Sequence, residues 1–183
     1  MIKKFKKVFL ATPITPLLDK NNLIIDDAKY AIQNILKSLR DTIADEVFCA
    51  IEREKWGEEL MSGAECTSLD MQGVIESELI IAFADHSYGV HLELGWASAF
   101  KKPIIVMINT NIGVKTPLVE GLGTVTSAKI IYYKSNSTLP SLEQWNSQLQ
   151  LDVINAIAEI DDKVTIKNLG RVYDFQDTVT VYN

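Results

Sequence analysis

The chain has 183 residues, 47% of them apolar and 23% charged, which suits one globular domain with a sizeable core. A formal charge of −6 and a pI near 5.0 exclude broad, non-specific nucleic-acid binding. No apolar run reaches the roughly 20 residues that span a bilayer. The basic opening MIKKFKK leads into VFLA, too short for a signal peptide, so a cytoplasmic location without membrane association is expected.

The apolar segments alternate in type. VFLA (8–11) reads as a short buried strand, followed by a proline-containing loop, ATPITPLLDKNN. Residues 26–40 have helical periodicity, with Ala28, Ile32, Ile35, Leu36 and Leu39 on one face. EVFCAI (46–51) reads as the second strand, and the polar EREKWGEELMSGAE after it as part helix, part loop. SLDMQGVIES (68–77) is predicted as a short helix with Ser68 as its N-cap. LIIAFA (79–84) is the third strand, GVHLELGWASAF a helix that starts at Tyr88, and PIIVMI (103–108) the fourth strand. A loop rich in Gly, Thr and Asn (109–127) then leads to a strand, KIIYY (129–133), and to a helix over roughly 141–160.

Short, continuously apolar strands alternating with helices indicate a parallel sheet covered on both faces. The expected architecture is a doubly wound α/β fold of three layers, flavodoxin-like or Rossmann-like. Its five-stranded parallel sheet is expected in the order 2-1-3-4-5. Residues 1–163 are the expected single domain; 164–183 form a C-terminal extension, either an edge strand or an arm onto a partner subunit. Cys49 and Cys66 lack metal spacing and read as buried thiols of a reducing compartment.

Ligands of such sheets bind outside the carboxyl ends of the strands. The residues there are 12–15, 52–56, 85–89 and 109–113, with Asp70 on the helix leading into the third strand. The run SYGVHLELGWASAF (87–100) sets a single carboxylate, Glu93, among apolar neighbours. Ser87 is a natural N-cap, and Gly89 in the first turn clears a side chain from the backbone. A helix start of this kind favours anions. Glu93 lies four residues past Gly89, about 6 Å along the axis. That offset suits a nucleoside 5′-monophosphate, with phosphate at the helix start and the anomeric carbon at Glu93. The competing readings are a surface glutamate, an ordinary capping serine, and packing roles for Trp96 and Phe100. His86 and His91 have no metal-site spacing.

The run Ser87-Tyr88-Gly89-Val90-His91-Leu92-Glu93-Leu94-Gly95-Trp96-Ala97 resembles the signature of the nucleoside 2-deoxyribosyltransferase superfamily, S-x-G-V-x-x-E-L-G-x-A. Asp70 to Glu78 is similar to the same superfamily's D-x-x-x-[IV]-x-x-x-[DE] helix, at the expected separation from Glu93. The resemblance spans residues 6–135 and is specific over 70–108. It implies that Glu93 is the nucleophile at the sugar carbon and that Asp70 acts near the leaving base, with no metal and no cofactor. Serine at position 87, where transferases acting on free nucleosides carry aspartate, resembles the 2′-deoxynucleoside 5′-phosphate N-hydrolase branch. Thr116 and Gly121 keep the spacing of a segment that in this branch reaches the phosphate of the neighbouring subunit, so a homodimer is implied. The glycine-rich loop of that branch is replaced by Ala11-Thr12-Pro13-Ile14-Thr15-Pro16, whose two prolines lack N–H donors. Thr12 and Thr15 would supply hydroxyls instead, and Trp56 is either a platform for the base or a lid residue. The implied activity is N-glycosidic cleavage of a nucleoside 5′-monophosphate. The alternatives are base exchange between free nucleosides, a nucleotide sensor without chemistry, and cleavage of a dinucleotide.

Overall fold

The structure, a computed structural model, describes residues 5–85, 87–112 and 116–161. Five parallel strands form one sheet: β1 (Phe5–Ala11), β2 (Ala44–Phe48), β3 (Leu79–Phe83), β4 (Ile104–Asn109) and β5 (Ala128–Tyr133). Their order is β2-β1-β3-β4-β5, as expected. β3 and β4 are buried throughout, and alternate side chains serve opposite faces. Leu79, Ile81 and Phe83 of β3 join one core, while Ile80 and Ala82 join the other.

The helices are α1 (Asp26–Thr42), α2 (Ala50–Arg53), α3 (Gly63–Glu76), α4 (Tyr88–Ala99), α5 (Pro117–Glu120), α6 (Leu142–Gln144) and α7 (Gln150–Asp161). α1 buries the stripe read from its periodicity, Ala28, Ile32, Ile35, Leu36 and Leu39, in the same core as Val153 and Ile157 of α7. Each fully buried Ile or Leu contributes roughly 1.5–3 kcal/mol. On the opposite face α3 and α4 pack against one another and reach the sheet through Val74, Val90, Leu94 and Ala97. α3 approaches closely because Gly73 has no side chain. A Cβ there would stand 3.0 Å from Phe9 and 3.1 Å from Phe48, whose rings stack with centroids 4.9 Å apart.

The end of β2 and the start of α3 differ from expectation. β2 ends at Phe48 rather than Ile51, because the chain turns at Cys49 and buries Ala50 and Ile51 in the helical turn of α2. A short apolar run reads alike as a strand end or a buried turn. α3 starts at Gly63, five residues before the expected start: Ser62 accepts from Glu65 N–H, and Glu65 bonds back to Ser62 N–H. The glycine beside the cap hides this S-G-A-E signature. The C-terminal helix opens with a second capping box, Ser141 and Gln144. It passes through a π-helical stretch at Trp145–Leu149 that buries Trp145, then continues as α7. The expected extension, residues 164–183, lies outside the described residues. Among the described residues, no helix is long and apolar enough to cross a membrane.

Candidate active site

The strand order reverses its winding between β1 and β3, the place where sheets of this class open a crevice at their carboxyl ends. α4 leaves the end of β3. Ser87 caps it as expected, its Oγ accepting from Val90 N–H at 3.3 Å. The Ser87 carbonyl accepts from the His91 ring, whose Nδ1 lies 2.6 Å away, so His91 secures the same turn. A methyl placed on Gly89 would meet only Ser87 Oγ, at 3.8 Å; among the described residues nothing else lies close to this position.

Glu93 is 8% exposed and belongs to the buried stripe of α4 with Val90, Leu94 and Ala97. It is therefore not a surface glutamate. Burial, and then the like charge of Asp70, push its carboxyl up to about 8, against the opposing pull of Arg53. Its Oε2 has no hydrogen-bond partner among the described residues.

Asp70 comes from the adjacent helix, α3. Burial raises its pKa first, Arg53 draws it down, and Glu54 adds a smaller upward push. Arg53 is the residue that sequence reasoning misses. Its Nη1 donates to Asp70 Oδ1 at 2.8 Å and its Nη2 to Glu54 Oε1 at 3.0 Å. The guanidinium carbon lies 5.4 Å from the centroid of the Phe48 ring. Glu54 is 4% exposed and also accepts from Cys66 Sγ at 3.2 Å. The neighbouring Glu52 turns the other way and accepts from Arg40 of α1 at 2.9 Å. The available signal is position alone, since 52–56 falls at the carboxyl edge of the sheet, whereas E-R-E-K reads as a solvated charge run.

The remaining expected residues are more dispersed. Thr12 is buried at the end of β1, its Oγ1 3.9 Å from Cys49 Sγ. Thr15 is exposed and opens a 3-10 turn, Thr15–Leu17, which packs into the α1-side core through Leu17. Trp56 is partly buried against that same core, with Lys29 Nζ 5.6 Å from its ring centroid. Thr116 caps α5, accepting from Val119 N–H at 3.3 Å. Both cysteines are free; Cys49 is buried and Cys66 partly so, and burial pushes each thiol up to about 11. The structure thus couples Asp70 electrostatically to Glu93, sets Ser87 and Gly89 at the start of the helix of Glu93, and leaves Thr15 and Trp56 against the α1 layer. A groove of about 530 Å³ between α1 and the connection after β5 contains neither carboxylate.

No family model and no curated protein matches the chain. Solved structures do. The Clostridium botulinum CMP N-glycosidase BcmB is 30% identical, covers 80% of this chain and 99% of its own, and superposes with a TM-score of 0.57. BlsM, known from a solution structure, is 24% identical over 92% of this chain and 98% of its own, with a TM-score of 0.64, which bears on the fold alone. With 30% identity across nearly the whole of BcmB, the chain belongs to the superfamily of nucleoside 2-deoxyribosyltransferase- and CMP N-glycosidase-related proteins.

Proposed function

We propose that this chain hydrolyses the N-glycosidic bond of a nucleoside 5′-monophosphate, releasing free base and (deoxy)ribose 5-phosphate through a glycosyl ester on Glu93. One observation carries the reading: a buried carboxylate, electrostatically coupled to Asp70, one turn beyond an open, serine-capped helix start. Superfamily membership supports enzymatic action on nucleosides or nucleotides. The description of BcmB as a CMP N-glycosidase supports hydrolysis of a nucleotide over exchange of bases.

The first N–H groups of α4 and the Ser87 hydroxyl receive the phosphate. In the empty site the carboxylate pair holds a proton near neutral pH, because Glu93 titrates at about 8. Substrate binding passes that proton from Glu93 to Asp70, whose own burial favours the protonated form. Glu93 then attacks C1′; the C1′–O bond forms as the C1′–N bond breaks, and its electron pair goes to the base. Asp70 gives the base its proton. Water next attacks C1′, the ester bond returns its electrons to Glu93, and the proton of the water goes to Asp70. Base exchange would use the same ester with a second base in place of water. Serine rather than aspartate at position 87 argues against it.

A homodimer belongs to the same reading. Tyr88 and Leu92 on α4, Met71 and Ile75 on α3, and Leu118 on α5 expose apolar surface on the layer that carries the site. A second copy docked there would bring Thr116, two residues from Leu118, toward its neighbour's phosphate. Sedimentation of the chain as a monomer would remove this part.

The deciding experiment offers a panel of ribo- and deoxyribonucleoside monophosphates, with and without a second free base, and scores released base by chromatography. Hydrolysis releases base from at least one of them, and Glu93→Ala abolishes the release. Normal turnover in that variant would end the nucleophile assignment, and an exchanged nucleoside would select the transferase.

A further inference from the structure

We propose that Arg53 is a positioning residue for the reaction: it orients Asp70 and supplies a cation that balances the Asp70–Glu93 pair. This rests on the N-glycosidase reading above. Arg53 reaches Asp70 from a different element, seventeen residues away in the chain, and is held on three sides. Asp70 binds Nη1, Glu54 binds Nη2, and the Phe48 ring covers the guanidinium carbon. The side chains of Arg53, Asp70 and Glu54 are 17%, 16% and 5% exposed, so the triad is shielded from competing solvent. Shielding strengthens such charge-assisted bonds and makes them directional.

Two consequences follow for the reaction. Asp70 Oδ1 is committed to Arg53, and no described residue hydrogen-bonds Oδ2, so Oδ2 is the oxygen from which the base takes its proton. The second consequence concerns charge. Glu93 is faced by Asp70 from α3 and by Arg53 from α2, while Asp70 is faced by Arg53 and Glu54, with the neutral Cys66 thiol on Glu54. Three carboxylates therefore share one guanidinium. Its removal would push both carboxyls further toward the protonated form and so disfavour an ionised nucleophile. Lysine could replace the charge but not the fork that engages two carboxylates at once.

The test uses the full chain with carbon-13 carboxyl labels, in the native form and as Arg53→Gln and Arg53→Lys. Carboxyl titration by NMR needs no turnover, and circular dichroism checks the fold. Arg53→Gln moves the Asp70 and Glu93 titrations upward by about one unit or more. Arg53→Lys returns them close to the native positions but keeps kcat about tenfold or more below native, with KM little changed. Titrations left unmoved by Arg53→Gln would overturn the charge role. Native kcat in Arg53→Lys would overturn the orienting role, and decides the matter if the glutamine variant does not fold. Failure of the native chain to release base from any nucleotide would end the functional reading instead, and would leave the titration result standing.

Discussion

Replacing Glu93 by glutamine keeps the shape of the side chain and removes its titration, which isolates the cost of holding this carboxyl in the core. The group titrates at 4.5 when solvated and at about 8 in the fold. The folded-state value lies above the unfolded one, so stability from this group is fully present below about pH 4.5 and lost as pH rises through about 8. At about 1.4 kcal/mol per unit, the native chain gives up roughly 3 kcal/mol by pH 7 and roughly 5 kcal/mol above pH 8. Glutamine carries no such slope. Its buried amide adds a pH-independent cost of about 1–3 kcal/mol where it finds no partner. The informative quantity is therefore the change with pH in the gap between the two proteins, not the gap at one pH. Thermal unfolding followed by circular dichroism should show the melting temperature of Glu93→Gln rising relative to native by roughly 6–12 °C between about pH 4.5 and pH 7. Parallel curves for the two proteins would mean that Glu93 is ionised and solvated in the fold, and the electrostatic account of the site would fall.

The native rate should follow the same proton: kcat/KM declines about tenfold per unit above about pH 8 as the pair loses it, and a flat profile to pH 9 would contradict proton donation from this pair. Asp70→Asn should slow base release most for bases that leave poorly; equal slowing across bases would place Asp70 elsewhere in the cycle. Ser87→Ala should weaken kcat/KM about tenfold or more for monophosphates and far less for free nucleosides, beside a capping loss of about 0.5–2 kcal/mol seen in urea unfolding. An equal kinetic loss for both substrates would remove the phosphate role. Gly73→Ala should cost about 1–3 kcal/mol of stability, because the new methyl would stand 3.0 Å from Phe9 and 3.1 Å from Phe48, and an unchanged unfolding midpoint would deny the close approach of α3 to the sheet.

Where one helix face or one strand decides the outcome, the residues are legible in order along the chain. The α1 stripe follows from a period of 3.6 and the strands β3 and β4 from short continuous apolar runs, and burial confirms them. Glu93 is legible for the same reason, since Val90, Leu94 and Ala97 at helical spacing leave it no polar face to occupy. Arg53 is not. Glu52 and Arg53 are neighbours in one short charged run, yet one pairs with α1 and the other with α3. Nothing in E-R-E-K says which charge turns inward. That is settled by where β2 stops and α2 begins, and an apolar run shared between a strand and a turn hides this boundary. Trp56 shows the same limit, because an aromatic after a strand suits a substrate platform and a core plug equally, and here it packs toward the α1 layer under Lys29.

The parts that periodicity misses are those that set the proton inventory, and the reason is physical. A helix face is chosen by many apolar contacts, each small and all aligned with the local period. A buried charge is chosen by one or two partners from distant elements, because its desolvation penalty is offset only by specific pairing. Asp70 is pushed up by burial, against the pull of Arg53 and with a smaller push from Glu54, and Glu93 is pushed up by burial and Asp70. Removing any one of these groups redistributes the proton among the others. In the proposed mechanism the nucleophile is thus a property of the cluster: Glu93 would form the bond, and its ionisation at the moment of attack would depend on a cation, Arg53, that lies outside both signature motifs.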